Sequence, residues 1–260
     1  MSLIGVLGGL GPAATVDFLA KLVALTPARC DQDHLPVLVL NQPHIPDRSQ
    51  SILGHGLDPL PYLLAGIDLL NQAEVGLVVV PCNTAHHWFS QMAGRSRAPM
   101  LHIARACVDA LPRGARQRVA IFATRGAIAS GVYQRELAEQ DIDLLIPDAG
   151  AHQGDIDDCI HAVKAGDLLH GSARLSAALA TALAQGAQAV VLGCTELPVA
   201  AQHIVAQPLL LIDSTLELAR QVVKHALGLG WHQPSWVPSA PAGQGFDHPA
   251  DPSAALTLRP

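Results

Sequence analysis

The chain has 260 residues, half of them hydrophobic, and a positive mean hydropathy. That composition excludes a disordered chain, a small disulfide scaffold and a coiled coil, and the length allows one or two domains with a full core. A formal charge of −6, from 22 acidic against 16 basic residues, and only 3% aromatics exclude the basic face and stacking platforms of a nucleic-acid binder, and a basic membrane-surface patch.

In chain order, short apolar runs at Leu3–Leu7, Val37–Asn41, Val75–Val80, Val119–Phe122, Leu144–Ile146, Ala189–Leu192 and Leu209–Ile212 read as strands. They are continuous rather than alternating, as expected of parallel strands covered on both faces. Helical windows lie between them at Ala13–Leu25, Leu57–Gln72, Ser130–Glu139, Asp155–Ala165, Leu175–Gln185 and Thr215–Leu227. This rhythm predicts an α/β protein with open parallel sheets. Met1-Ser2-Leu3 leads directly into a strand, so no leader is read, and no run approaches a membrane span of roughly 18 apolar residues. The five cysteines (Cys30, Cys82, Cys107, Cys159, Cys194) include no CxxC pair. A soluble, cytoplasmic protein with free thiols is expected.

The chain repeats itself weakly. Ile4-Gly5-Val6-Leu7-Gly8-Gly9-Leu10-Gly11 matches Val119-Ala120-Ile121-Phe122-Ala123-Thr124-Arg125-Gly126 in pattern, and Ile45-Pro46-Asp47 recurs as Ile146-Pro147-Asp148. Val78-Val79-Val80-Pro81-Cys82-Asn83-Thr84 parallels Val190-Val191-Leu192-Gly193-Cys194-Thr195-Glu196. Two similar units facing each other across a cleft are therefore expected. Residues 1–103 with 209–230 are assigned to the first α/β domain, because the final strand and helix are expected to return to it. Residues 104–208 form the second, and 231–260, with six prolines, an irregular tail.

Cys82 and Cys194 each follow an apolar strand and precede a small polar residue and a helix start. In an open α/β sheet such a position faces the ligand crevice, where a helix N-terminus favours a thiolate. A buried structural cysteine is the plain alternative. A core needs no thiol at equivalent strand ends twice, whereas a cleft with one acid/base on each wall does. Cys30, Cys107 and Cys159 lack such a turn and read as structural. Opposed thiols suit inversion of a stereocentre: one takes a Cα proton as thiolate, and the other returns a proton to the opposite face. The two would titrate as a pair.

Other signatures are weaker. Gly9-Leu10-Gly11-Pro12-Ala13-Ala14 fits the GxGxxA dinucleotide pattern, but the second strand ends at Asn41-Gln42 without the ribose-binding acid, and Pro12 reads as a helix first-turn residue. Thirteen histidines are scattered without metal-ligand spacing, and three lysines lie away from any strand-end phosphate loop. Neither a metal nor a cofactor is expected.

The sequence resembles the aspartate/glutamate racemases, the cofactor-independent amino-acid racemases. The resemblance rests on Gly8-Gly9-Leu10-Gly11-Pro12-Ala13-Ala14-Thr15, Ile45-Pro46-Asp47-Arg48, Pro81-Cys82-Asn83-Thr84-Ala85-His86, Ala123-Thr124-Arg125-Gly126 with Ser130-Gly131-Val132-Tyr133, and Gly193-Cys194-Thr195-Glu196-Leu197-Pro198. It spans about residues 3–228. Glu196 after Gly-Cys-Thr looks like the aspartate racemase branch. The resemblance implies two pseudo-symmetric flavodoxin-like domains with the active site between them, an acidic amino-acid substrate, aspartate before glutamate, and a homodimer. It implies Cys82 and Cys194 as the acid/bases, and Arg48 and Lys164 on the distal carboxylate. A bidentate fork and a point charge fit that carboxylate physically. Asn83, Thr84, Thr124 and Thr195 would supply hydrogen bonds to the α-carboxylate, although each is also a good helix cap. Leu10 and Gly11 belong to a loop expected to wrap the substrate. Asp47 and Glu196 are candidates to pair the ammonium or tune a thiol, with His86 behind them. Leu10 and Ala127 stand where the family often has Met and Thr. Rival readings are another cysteine-pair enzyme, such as a hydantoin racemase, maleate isomerase or arylmalonate decarboxylase, and a non-catalytic dicarboxylate binder.

Overall fold

Among the described residues seven apolar runs form strands, and all of them pair in parallel. The computed structural model describes residues 3–112, 117–138, 140, 142–204 and 208–231; Glu139 and the proline-rich tail beyond Trp231 lie outside them. The first sheet is built from β1 (Ile4–Gly8), β2 (Val37–Asn41) and β3 (Leu77–Val79) in the order β2-β1-β3. The second contains β4 (Gln117–Phe122), β5 (Ile142–Leu145), β6 (Ala189–Leu192) and β7 (Leu210–Asp213) in the order β5-β4-β6-β7. The two orders are the same topology, that of flavodoxin-like sheets. In the first sheet the position of β7 shrinks to a single parallel bridge, Val78 to Met100. β1, β3 and β6 are buried throughout, while the edge strands β2 and β5 are half-exposed.

Helices cover both faces of each sheet. In the first half α1 (Pro12–Leu25) begins with proline in its first turn, where the missing N–H is not needed. It is followed by α2 (Arg48–Ile52), α3 (Leu60–Gln72), α4 (Phe89–Arg95) and α5 (Ile103–Ala110). The second half carries α6 (Arg125–Ser130), α7 (Val132–Leu137), α8 (Ala151–Lys164), α9 (Leu168–Ala184), α10 (Leu197–Ala201) and α11 (Ser214–Gly228). The window expected at Ser130–Glu139 is divided: Gly131, at φ 68°, ends α6 and starts α7. α9 begins earlier than its apolar period suggests, because Asp167 caps it by accepting from His170 N–H at 3.0 Å.

The last helix of each half crosses to the other. α11 lays Leu218, Val222 and Ala226 on Ile4, Val6 and Phe18 of the first half. α5 lays Ala104 and Cys107 on Val119, Ile121 and Val191 of the second. The final strand and helix, assigned together to the first half as residues 209–230, part company: α11 packs on the first sheet, whereas β7 pairs with β6, Ala189 opposite Leu210. Strand pairing is decided by the adjacent free edge of β6, and helix placement by the apolar face left open on the first sheet. An ion-pair network secures the crossing: Lys21 Nζ of α1 lies 2.6 Å from Asp17 and from Asp213, and donates to Thr215 Oγ1 at 2.6 Å.

Candidate active site

Cys82 sits on the turn that leaves β3, its N–H donating to Val80 O at 2.8 Å. A 3₁₀ turn, Thr84–Trp88, follows. His86 fixes this turn from within. Its Nε2 accepts the Ile103 N–H at 3.1 Å, so the ring proton is on Nδ1, which donates to Cys82 O at 2.9 Å. Burial, with a smaller contribution from neighbouring His102, lowers the His86 pKa to about 3, so the ring is neutral. Asn83 is turned inward, with 2% of its surface exposed. Its Nδ2 donates to Ser214 Oγ at 2.9 Å, and its Oδ1 accepts from Tyr133 OH at 2.5 Å.

Cys194 occupies the equivalent turn after β6, where Gly193 N–H donates to Phe122 O at 2.7 Å. Its surroundings differ. Cys194 Sγ donates to Glu196 Oε2 at 3.0 Å, and Thr195 Oγ1 donates to the same oxygen at 3.3 Å. Burial pushes the Cys194 thiol well above its ordinary pKa, the Glu196 charge pushes it further, and Lys164 opposes both. The helix-end field expected to favour a thiolate is outweighed here. Cys82 and Cys194 keep 5% and 6% of their surfaces exposed.

The halves meet at these turns. Thr84 Oγ1 and Thr124 Oγ1 are 3.0 Å apart, and Gly126 N–H donates to Ser49 Oγ at 2.9 Å. Gly11 approaches so closely that a Cβ there would lie 2.9 Å from Glu196 Oε1. A cleft of about 250 Å³ opens beside this seam, lined by Asp47, Arg48, Thr84, Thr124 and Lys164 and also by Ser49, Arg125, Asp157 and His161. Asp47 caps α2 by accepting from Gln50 N–H at 2.8 Å, and Thr124 caps α6 by accepting from Ala127 N–H at 3.1 Å.

The two cations of the cleft are held differently. Arg48 Nη1 donates to Ile45 O and Pro46 O, both at 3.1 Å, and Nη2 to Leu10 O at 2.9 Å. The Nε–H is buried without a partner. With five N–H groups on a guanidinium, Nε and one N–H of Nη2 remain uncommitted. Lys164, the last residue of α8, is exposed to the cleft. Partial desolvation of its ammonium works to lower its pKa, but the nearby negative charge, that of Glu196 first, outweighs it and the net shift is upward.

Thus Asp47, Arg48, Thr84, Thr124 and Lys164 share the cleft wall. Leu10 touches it through Arg48, Gly11 lies against Glu196, and Cys194, Thr195 and Glu196 form one hydrogen-bonded group that, like Cys82, is not among the residues lining the cleft. Asn83 and His86 lie behind the Cys82 turn. Sequence reasoning quoted Arg125 and Tyr133 within motifs without giving them a place, and missed Ser49, Asp157 and His161. Arg125 and Asp157 form a 2.6 Å ion pair on the cleft wall. Asp157 and His161 sit one helical turn apart on the face of α8 that also carries Lys164, and that i, i+4 spacing was the available signal.

Two facing parallel sheets with a polar cleft at their strand ends define an α/β enzyme whose site is shared between halves. The model of the Asp/Glu/Hydantoin racemase family matches residues 7–222, and the chain belongs to that family. It is 26% identical over 225 residues to the broad specificity amino-acid racemase RacX of Bacillus subtilis (strain 168), covering 85% of this chain and 96% of that protein. The aspartate racemase of Picrophilus torridus superposes with a TM-score of 0.77 at 29% identity, covering 87% of this chain and 94% of that one. Glutamate racemase isoform RacE1 of Bacillus anthracis shares the fold at 17% identity, with a TM-score of 0.67 over 90% of this chain and 84% of that one. The protein is an isomerase, an amino-acid racemase of the Asp/Glu racemase type. No described helix is long and apolar enough to cross a membrane.

Proposed function

We propose that the chain racemises an acidic amino acid, with aspartate as its principal substrate, by passing a proton between Cys82 and Cys194. The observation that carries this reading is the equivalence of the two turns. Each thiol follows the strand that flanks the first strand of its sheet, on the same topology, and contacts between the halves run beside both. One thiolate removes the Cα proton. The electron pair left on Cα spreads into the α-carboxylate, and the opposite thiol protonates the other face. The proton then sits on the first cysteine and the second is the thiolate, which is the state the other enantiomer requires. At rest Cys194 is the thiol, because burial and Glu196 both favour its protonated form.

Lys164 and the free edge of Arg48 hold the distal carboxylate. The buried, unpartnered Arg48 Nε–H supports this assignment, since such a donor costs about 1–3 kcal/mol unless something accepts from it. Thr84 and Thr124 supply hydroxyls to the α-carboxylate, where charge builds in the carbanion. Asn83 is withdrawn from that set, because its amide is engaged in the interior. The 29% identity to an aspartate racemase supports aspartate. The test is L-aspartate in D2O, following Cα deuteration and optical rotation together, with L-glutamate and maleate in parallel. A racemase deuterates and inverts aspartate. A binding protein does neither, and conversion of maleate to fumarate without racemisation would replace this reading with an isomerase.

A further inference from the structure

Tyr133 is the largest fully buried side chain of the described residues, and it touches both cysteine turns although it belongs to neither. Its hydroxyl donates to Asn83 Oδ1 at 2.5 Å, next to Cys82. Its ring lies under the backbone just before Cys194, where a Cβ on Gly193 would meet Tyr133 Cε2 at 2.7 Å. Gly131, in the left-handed region at φ 68°, starts the helix that aims the ring inward. The phenol has one proton, and it is committed to Asn83, so the Cys107 thiol at 3.6 Å is the donor to the phenol oxygen. At its other end the Asn83 amide donates to Ser214 of α11, the helix that crosses between the halves.

We propose that Tyr133 is a positioning residue that sets the two cysteine turns relative to each other, by a hydrogen bond on the Cys82 side and by ring contact on the Cys194 side. This inference rests on the two-thiol reading. Hydroxyl and ring act on different cysteines, and so their effects are separable. Burial holds the phenol protonated, which keeps it a donor throughout the working pH range. A misplacement near 1 Å at either turn is enough to slow proton transfer by up to about 10²-fold.

Tyr133→Phe keeps the ring under Gly193 and deletes the bond to Asn83, together with the long contact accepted from Cys107, which touches neither cysteine turn. The experiment measures kcat, KM and the Cα-deuterium isotope effect for L- and D-aspartate in the parent and in Y133F. Expected are a fall in kcat of about tenfold with KM within about twofold, and an isotope effect that rises in one direction only, the one in which Cys82 takes the proton. Ser214→Ala frees the far end of the same amide and is expected to raise the isotope effect in that same direction; if Y133F does not fold, this variant decides. Equal changes in both directions, or none, overturn the inference. The two-thiol reading fails separately, through racemisation by Cys82→Ser or Cys194→Ser at the parental rate.

Discussion

The two cysteine turns occupy one structural position and have grown different electrostatic environments. Around Cys82 the contacts are neutral: an imidazole held uncharged by burial behind the cysteine carbonyl, and an amide facing inward. Around Cys194 they are charged, with Glu196 accepting from the thiol and Lys164 beyond it. A duplicated fold preserves where a side chain stands, because β3 and β6 hold the same place in their sheet orders, each beside the first strand of its sheet. It does not preserve the charge nearby, which depends on residues such as Asn83 against Thr195 and Thr84 against Glu196. A racemase has no need of identical walls, only of two acid/bases that exchange one proton between them.

The largest effect breaks the comparison outright. Cys82→Ser and Cys194→Ser are each expected to lower racemisation of aspartate by about 10²–10⁴-fold, the range for loss of a general acid or base, while L-aspartate still binds by calorimetry. Circular dichroism of the D/L mixture measures the rate. Near-parental activity in either variant would show that the turns are not functionally paired.

Glu196→Gln sharpens the same comparison by making the Cys194 turn neutral like its counterpart. Burial and the Glu196 charge both raise the Cys194 pKa. Removing the charge leaves burial alone against Lys164, so this pKa falls and the limb of the pH–rate profile that belongs to Cys194 moves to lower pH. kcat is expected to drop roughly tenfold, since proton transfer is impeded but its donor remains. A profile that does not move would place the Cys194 titration outside the influence of Glu196.

Much of this arrangement can be read from the chain. β2 coincides with its predicted run, Val37–Asn41, because a parallel strand flanked by proline and polar residues is bounded on both sides. The turns at Cys82 and Cys194 announce themselves by repetition. The five- to seven-residue helices α2, α4, α6 and α10 escape notice, being too short to show an apolar period. The sheet that Leu210–Asp213 joins is invisible as well, since pairing depends on which edge lies nearest in space and not on the strand's own residues. At the site, residue type is legible and commitment is not. Nothing local says that Arg48 gives three N–H bonds to carbonyls, one of them 38 residues away, or that Asn83 turns inward toward a serine 131 residues later.

His86 offers a way to separate stability from chemistry on the neutral side. In the folded protein it takes a proton only near pH 3, whereas its ordinary value is 6.5. The unfolded chain therefore binds a proton that the folded one refuses. This contribution to stability is full above pH 6.5 and is lost progressively as pH falls toward 3. His86→Asn removes the titrating ring and is expected to flatten the decline of Tm between pH 6.5 and 4, with His102, lowered to about 4, leaving a residual slope. At pH 8 the variant is expected to lose about 1–3 kcal/mol, because the buried Ile103 N–H loses its acceptor. Thermal melts across pH measure both, and an unchanged slope would show that His86 is not kept neutral by the fold.

The smallest effect concerns the seam that both turns share. Ser49 is the residue after Arg48, and its hydroxyl accepts the Gly126 N–H of the opposite half at 2.9 Å. The two segments are in contact so close that a Cβ on Gly126 would lie 2.5 Å from the Ser49 Cα. The bond therefore ties the Arg48 helix to the start of α6, beside Thr124. Ser49→Ala removes it without adding bulk, at a cost of about 1 kcal/mol, or roughly fivefold. If closing this seam is what brings Arg48 onto the distal carboxylate, the loss appears in KM for aspartate with kcat nearly unchanged, because neither cysteine turn is disturbed. A fall in kcat at constant KM would mean instead that the seam serves the thiols, and that Arg48 reaches its position without help from the second half.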